Sequence, residues 1–357
     1  MVPLALTKVH PIPTSWYGVP ITVTSKRKLN FAVLLDHQFP RVDRLVDHLD
    51  ALIEMTELAR DLKFDGVFGI HHFLAELRTP QPFPLLARLI PHSGMMDLGT
   101  SVYVATLSNP VQIAEELATL DQLSRGRLIF GAGVGYREEE FESFGISRST
   151  RGSRFVESLQ VIRGLWSDSP FTFHGKHFRV NAQRSSVGPY DARHLPFWIG
   201  ANAPETVVRA ARIGDAWIAS PNVKERWAIG NLEAFLTEKE LVSPGNANQT
   251  CRPICRELLI ADSDEEAQEL AERFLKEEYF AYSKYELDYF VEMFHDLMIK
   301  SFLVGCPTTV AAKMRPLIAG GFDYFIFRFF WSGIPYSIAK ESLSRFSAEV
   351  VPLLRED

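Results

Sequence analysis

Short apolar runs alternate along this chain with amphipathic stretches of helical period, the pattern of repeated βα units around a parallel sheet. The runs at 29–35, 65–70, 98–105, 128–133, 197–200, 216–220, 254–261 and 324–330 predict eight strands. Helices are predicted between them, including 111–123, 153–166, 205–213 and 309–319. Asn109 can cap the first of these, with Pro110 at the first helical position, where its missing amide proton costs nothing. Eight βα pairs close most naturally into an α/β fold of the (β/α)8 TIM-barrel type, with the active site where strands run into their following loops. One domain over 1–357 is expected, with insertions after strands four and seven. The first is the excursion at 148–196, turn-rich from 167 onward. The second, 277–300, carries seven aromatic residues from Tyr279 to Phe294 and reads either as a packed helix pair or as a mobile lid over a pocket. Residues 1–28 form an arm across the barrel's bottom or a dimer contact.

The most informative run is Arg127-Leu-Ile-Phe-Gly-Ala-Gly-Val-Gly-Tyr136. Gly131, Gly133 and Gly135 remove side chains at alternate positions of a strand, on one face, so that something flat could lie against that wall. A dinucleotide fingerprint needs a third glycine where Tyr136 stands, and Glu138, Glu139 and Glu140 would repel a pyrophosphate.

Composition narrows the class. The chain is 46% hydrophobic, enough for a sizeable core, and its net charge of −6 without clustered basic residues gives no footprint for nucleic acid. No window approaches the roughly 18 apolar residues of a membrane span, and Pro3, Pro11 and Pro13 break the N-terminus where a signal peptide would be apolar. Cys251, Cys255 and Cys306 are an odd count in a long chain, which fits buried thiols in a reducing cytoplasm.

In a barrel, the positions just past each strand converge. These are Asp36 and His37, His71 and His72, Thr106, Gly135 and Tyr136, Ala201 and Asn202, Ser220, and 328–331. His71 is the leading catalytic candidate, since an imidazole exchanges a proton near neutral pH and a strand end fixes its ring. Two adjacent histidines satisfying local hydrogen bonds is the plainer reading. A metal is not expected, because neighbours in a strand point to opposite faces. Gly200-Ala-Asn-Ala-Pro-Glu-Thr206 is a strand entering a helix through small residues, whose free amides suit a phosphate, or it is an ordinary βα turn. Arg328 is the lone charge in Phe325-Ile-Phe-Arg-Phe-Phe-Trp331 and must find an anion, either a carboxylate of the chain or an acid of cofactor or substrate. His37, Arg328 and Trp331 are therefore candidate substrate contacts.

The chain also resembles the bacterial luciferase-like, flavin-dependent monooxygenases. The matching blocks are Phe64-Asp-Gly-Val-Phe-Gly-Ile-His-His-Phe73, Leu98-Gly-Thr-Ser-Val-Tyr-Val-Ala-Thr-Leu-Ser-Asn-Pro-Val111, 120–135, Arg151-Gly-Ser-Arg-Phe-Val-Glu157, Pro196-Phe-Trp-Ile-Gly-Ala201 and Phe302-Leu-Val-Gly-Cys-Pro307. The resemblance implies a TIM barrel holding a flavin at the carboxyl ends of its strands. Its phosphate would lie at Asn202, Ala203 and Thr206, and a non-proline cis bond would fall at Ser101-Val102. It places His71 on the first histidine of a Glu-His-His motif used in proton transfer, although Ile70 stands where that glutamate would be. Gly133 and Val134 stand where luciferase carries a cysteine and an arginine, which argues against luciferase-type phosphate gripping and light emission.

The function implied is a monooxygenase taking reduced FMN from a separate flavin reductase and using O2 to oxygenate a small, largely apolar substrate, with Ser101, Val102, Thr106, Gly133, Gly135, Tyr136, Gly200, Ala201 and Ser220 around the flavin. Relatives that carry hydride on a deazaflavin are the alternative; Arg137, Arg148, Arg151 and Arg154 are the basic residues available for that coenzyme's acidic tail. A non-catalytic flavin-binding subunit is a further alternative. Family members commonly dimerise, so a homodimer is expected.

Overall fold

The computed structural model describes residues 27–36, 38–39, 44–191, 195–282 and 294–355. His37, nearly all of the N-terminal arm and 283–293 of the aromatic stretch lie outside the described residues. The chain folds as an α/β structure around a mostly parallel, curled sheet. Its strands are β1 (Asn30–Leu35), β2 (Gly66–Gly69), β3 (Asp97–Thr100), β4 (Tyr103–Val104), β5 (Leu128–Gly133), β8 (Phe197–Gly200), β9 (Ala216–Ile218), β10 (Pro253–Ile260), β11 (Leu303–Gly305) and β12 (Tyr324–Arg328). Neighbours run in the order β11, β10, β12, β1, β2, β3, β5, β8, β9, with β4 beside β5. Just past β9, Ala219 forms a parallel bridge to Ile254 of β10, its amide donating to the Pro253 carbonyl (3.2 Å) and its carbonyl accepting from Cys255 N (2.8 Å). A two-stranded antiparallel hairpin, β6 (Phe171–His174) with β7 (Arg179–Gln183), occupies the excursion between the helix Arg151–Leu165 and β8.

Apolar runs rather than alternating patterns make these strands because both faces of the sheet are covered. In β1, Phe31, Val33 and Leu35 join the large cluster shared with the helices. Ala32 and Leu34 point the other way, into a second cluster enclosed by the curl with Phe68, Trp198, Cys255, Tyr324 and Ile326. Trp198 stacks on Phe68 (5.8 Å between centroids) and meets Tyr324 edge-on (5.0 Å), so three strands share one aromatic plug. Burying each such ring contributes about 2–3 kcal/mol of transfer free energy.

The strand predicted at 98–105 is two pieces. The Ser101–Val102 peptide is cis, β3 pairs with β5 through Leu98 and Gly99, and β4 resumes opposite Ala132 and Gly133. β11 was not predicted as a strand. It spans three residues and pairs only with the far end of β10, at Leu258–Ile260, after β10 has left β12. Asn109 caps the helix Pro110–Ser124 as expected, its side chain accepting from Val111 N (2.9 Å). Among the cysteines, Cys255 alone is fully buried, and burial pushes its thiol up to about 12. Among the described residues, no helix is long and apolar enough to cross a membrane.

At the end of the sheet where the strands begin, Arg27 pairs with Asp323 and donates to the Thr250 carbonyl (3.0 Å), tying the last residues of the N-terminal arm across that end.

Candidate active site

His71 follows β2 and is 2% exposed. Its Nδ1 accepts the backbone N–H of Val104 (3.0 Å), so the ring proton sits on Nε2 and is donated to Gln81 Oε1 (2.9 Å). The amide of Gln81 is oriented in turn by donation to the His72 carbonyl (3.1 Å). Tyr103 stacks on the imidazole at 4.1 Å and Phe73 meets it edge-on at 4.5 Å, while Phe83 stacks on the far side of Tyr103. The imidazole is thus neutral, held in one tautomer and boxed by aromatics. His72 turns away toward Tyr136 and lies 3.4 Å from Glu140, a buried carboxylate that accepts Phe73 N (2.8 Å) and pairs with Arg137 (3.2 Å).

The bare glycine wall has an occupant from the chain itself. A Cβ at Gly131 would stand 1.7 Å from the Thr100 carbonyl oxygen, and one at Gly133 2.7 Å from Val102 Cγ2. Val102 also lies against Gly200, where an added Cβ would approach its Cγ1 to 3.1 Å. The small residues of β5 and β8 therefore clear room for the irregular backbone of 100–102, so the expectation that this wall is open to a flat ligand is corrected at Gly131 and Gly133. Gly135 has φ +75° and abuts Val104 and Phe141, a backbone conformation that requires glycine. Ser101 N donates to the Gly69 carbonyl (2.9 Å), and Thr106 donates its hydroxyl to the Val134 carbonyl (2.8 Å).

At the end of β8, the Ala201 carbonyl takes the Trp217 indole N–H (2.8 Å), which fixes the turn. Asn202 and Ala203 are exposed, and the helix Pro204–Ile213 begins without a side-chain cap. Thr206 folds its hydroxyl back onto the Ala203 carbonyl (2.6 Å), which spends the proton expected to face a phosphate. Ser220, from the next strand end, joins this rim by donating to Asn202 Oδ1 (2.8 Å), with Asn222 also in reach. Asn202, Ala203, Thr206 and Ser220 are thus brought together around an uncapped helix start.

Arg328 and Trp331 are arranged differently from the expectation that they face substrate. Arg328 gives Nε and Nη2 to Glu257 (2.9 and 2.6 Å) and Nη1 to Asp36 (3.0 Å), and the Trp331 indole donates to Glu257 (2.8 Å). Tyr279, within the predicted lid, also donates to Glu257 (3.0 Å) and is buried. The anion that Arg328 needs is a carboxylate of the chain. The basic residues considered for an acidic coenzyme tail are likewise engaged: Arg137 on Glu140 and on the Phe73 and Leu74 carbonyls, Arg148 on Glu138, Arg151 on the Arg148 carbonyl, and Arg154 on the Thr106 carbonyl and over the Phe178 ring.

Sequence reasoning missed Gln81 and Glu257. Glu257 lies beside Arg256 in an otherwise apolar strand, where each buried charge needs a partner. Gln81 had only its position before Pro82, where helices begin.

Residues 30–324 match the family model described as luciferase-like monooxygenase. The chain belongs to that family. Among its curated relatives, the F420-dependent glucose-6-phosphate dehydrogenase of Kineococcus radiotolerans is 27% identical over 85% of this chain and 93% of its own length. The oxygenase component of the flavin-dependent trigonelline monooxygenase of Acinetobacter baylyi is 26% identical over 86% and 90%. Against an uncharacterised protein of Sinorhizobium fredii, 30% identical, the chain spans 58% of the relative's length. A crystal structure of a monooxygenase from Streptomyces bottropensis superposes with a TM-score of 0.81 over 91% of this chain and 99% of the other, at 20% identity. Luciferase-like enzymes are flavin- or F420-dependent oxidoreductases, and this chain shares their fold.

Proposed function

We propose that this luciferase-like protein is the oxygenase of a two-component monooxygenase, using reduced FMN delivered by a separate reductase and O2 to oxygenate a small, largely apolar substrate. On this reading the curled sheet is a closed (β/α)8 barrel, supported by the Ala219–Ile254 bridge between β9 and β10. The enzyme would work as a homodimer in the cytoplasm.

The observation that carries the choice of FMN is the state of the basic residues near the mouth. Arg137 is buried on Glu140 and carbonyl oxygens, Arg154 is built into the wall, and Arg148 is paired, so these positions offer no groove for a long acidic tail. A single phosphate fits better. The exposed Asn202 and Ala203 at an uncapped helix start supply donors and the positive end of a helix dipole, although Glu205 in that first turn weakens the field.

Asn202, Ala203, Thr206 and Ser220 would hold the phosphate; Ser101, Val102, Thr106, Gly135, Tyr136, Gly200 and Ala201 would line the rest. FMN in its reduced form supplies the electrons and the site for oxygen activation. The chain's own part is to orient and to exclude water. Phe73, Phe83 and Tyr103 make the surroundings of His71 apolar, which suits an apolar substrate and a dry site. His71 would move a proton at Nε2, the atom now resting on Gln81, while Nδ1 stays committed to Val104.

The test is a fluorescence titration of the purified protein with FMN and with F420, followed by turnover of a panel of small apolar compounds under 18O2 with a reductase present. Tighter FMN binding and one labelled oxygen in product are expected. Tighter F420 binding with hydride transfer and no label would replace this reading with the dehydrogenase one, which the Kineococcus relative makes the second choice.

A further inference from the structure

Behind the loop that carries Ser220, on the face of β10 turned toward the helices, Arg256 is buried to 1% exposure. Its neighbour Cys255 points into the enclosed cluster, so Arg256 points outward into the layer between sheet and helices. Nη1 donates to the carbonyls of Ser220 and Cys255 (3.1 Å each). Among the described residues, Nε and Nη2, the two nitrogens on one edge of the guanidinium, have no hydrogen-bond partner. A buried guanidinium half unsatisfied is costly unless something meets that edge.

Arg256 lines a small cavity of about 20 Å³ together with Glu225, Ser301, Phe302, Lys300 and Lys313. Ser301, 5% exposed, also has an unpartnered hydroxyl. Lys313 lies on the carbonyls of Met298, Phe302 and Val304 (3.2, 3.1 and 2.9 Å), so its charge faces no carboxylate at contact distance among the described residues. Lys300 is neutralised by Asp296. Two positive charges thus face one carboxylate, Glu225, which forms no ion pair with Arg256. Burial pulls the guanidinium down to about 10, still charged at neutral pH.

We propose that this cavity is an anion site, distinct from the rim at Asn202, and that it takes a small oxyanion gripped by the Nε and Nη2 edge of Arg256 with a further hydrogen bond from Ser301. A two-oxygen face matches a guanidinium edge, as carboxylates and phosphates do. Glu225 on the same wall discriminates between them: monohydrogen phosphate has a proton to donate to it, acetate has none. Phosphate is therefore preferred over acetate. The proposal is independent of the flavin reading.

The test combines crystals and solution. In crystals soaked with arsenate, which like monohydrogen phosphate keeps a proton for Glu225, anomalous scattering is expected to place arsenic beside Arg256 Nε and Nη2. In thermal melts at fixed ionic strength, inorganic phosphate is expected to raise the midpoint saturably and acetate to do so at several-fold higher concentration. Ser301→Ala should weaken the phosphate response several-fold, and Arg256→Gln should abolish the part of it that persists when the rim site is removed by Asn202→Ala. Should Arg256→Gln fail to fold, Ser301→Ala carries the test. Water density alone at Arg256, or an unchanged response in Ser301→Ala, overturns the proposal. Arsenic without saturable binding in solution means an adventitious ion only, and overturns it as well.

Discussion

Glu257 and Arg328 stand opposite each other in register on the neighbouring parallel strands β10 and β12, and the carboxylate receives both Nε (2.9 Å) and Nη2 (2.6 Å) of the guanidinium. Asp36, from the end of β1, takes the third nitrogen, Nη1, so three strand ends are tied by one cation with both carboxylates at 0% exposure. Trp331 and Tyr279 complete the set on Glu257. Such a network costs desolvation to assemble, and its value lies in what happens when one member is removed.

Glu257→Ala should destabilise the protein by about 3–5 kcal/mol, because Arg328 loses the carboxylate that takes two of its nitrogens and two buried donors lose their acceptor. Glu257→Met with Arg328→Met should cost less than the sum of the two single changes, since the carboxylate and its guanidinium leave together, although Asp36 then loses its cation. Urea midpoints of the single and double variants measure the coupling. Additive losses would mean that the two side chains do not act as a unit.

The eight strands were legible because each is an apolar run covered on both faces, and that pattern is local. The break at 101–102 and the three-residue β11 were not visible in the run pattern, since neither leaves a mark in hydrophobic periodicity; the resemblance alone pointed to the cis bond. The need for bare backbone at Gly131 and Gly133 was readable, but what fills the space was not, because Thr100 and Val102 arrive there through a neighbouring strand. Arg328's demand for an anion was readable too. Its answer is Glu257, which stands beside Arg256 in 254–261 and pairs with Arg328 only once β10 and β12 are known to be adjacent.

Asp97 predicts a pH dependence. Burial raises its carboxyl from 3.8 to about 6, against the opposing hydrogen bond from Tyr324. The folded state therefore holds this proton more tightly than the unfolded chain, so the contribution is intact below about pH 4, declines as pH rises and is fully lost above about pH 6. Asp97→Asn, which keeps an acceptor for Tyr324, should leave stability unchanged near pH 3.5 and raise it by about 2–3 kcal/mol at pH 7.5. Equal stability of the two proteins at pH 7.5 would contradict the shift.

The glycines of β5 should differ in cost. Gly133→Ala pushes against the tip of Val102, a side chain that can give way, so a loss of about 1–3 kcal/mol is expected, and Val102→Ala should restore most of it. Gly131→Ala meets the Thr100 carbonyl, which cannot move without breaking the strand, and Val102→Ala should not rescue it. Thermal melts of the four variants check the ordering, and rescue of both glycine variants would show the backbone at 100–102 to be softer than its packing implies.

His71 separates a proton-carrying role from a structural one. The Val104 amide needs an acceptor at Nδ1, and loss of that bond alone would loosen β4. His71→Ala removes both the acceptor and the Nε2 proton and should lower turnover by about 10²-fold or more, with FMN affinity nearly unchanged. His71→Asn keeps an oxygen able to accept from Val104 N–H but has no ring nitrogen to exchange a proton. Turnover as low as in the alanine variant is expected. Gln81→Leu, which removes the acceptor of the Nε2 proton, should lower turnover while preserving the fold. Wild-type turnover in His71→Asn would assign the imidazole to pinning β4 alone and move the search for the proton carrier elsewhere on the rim.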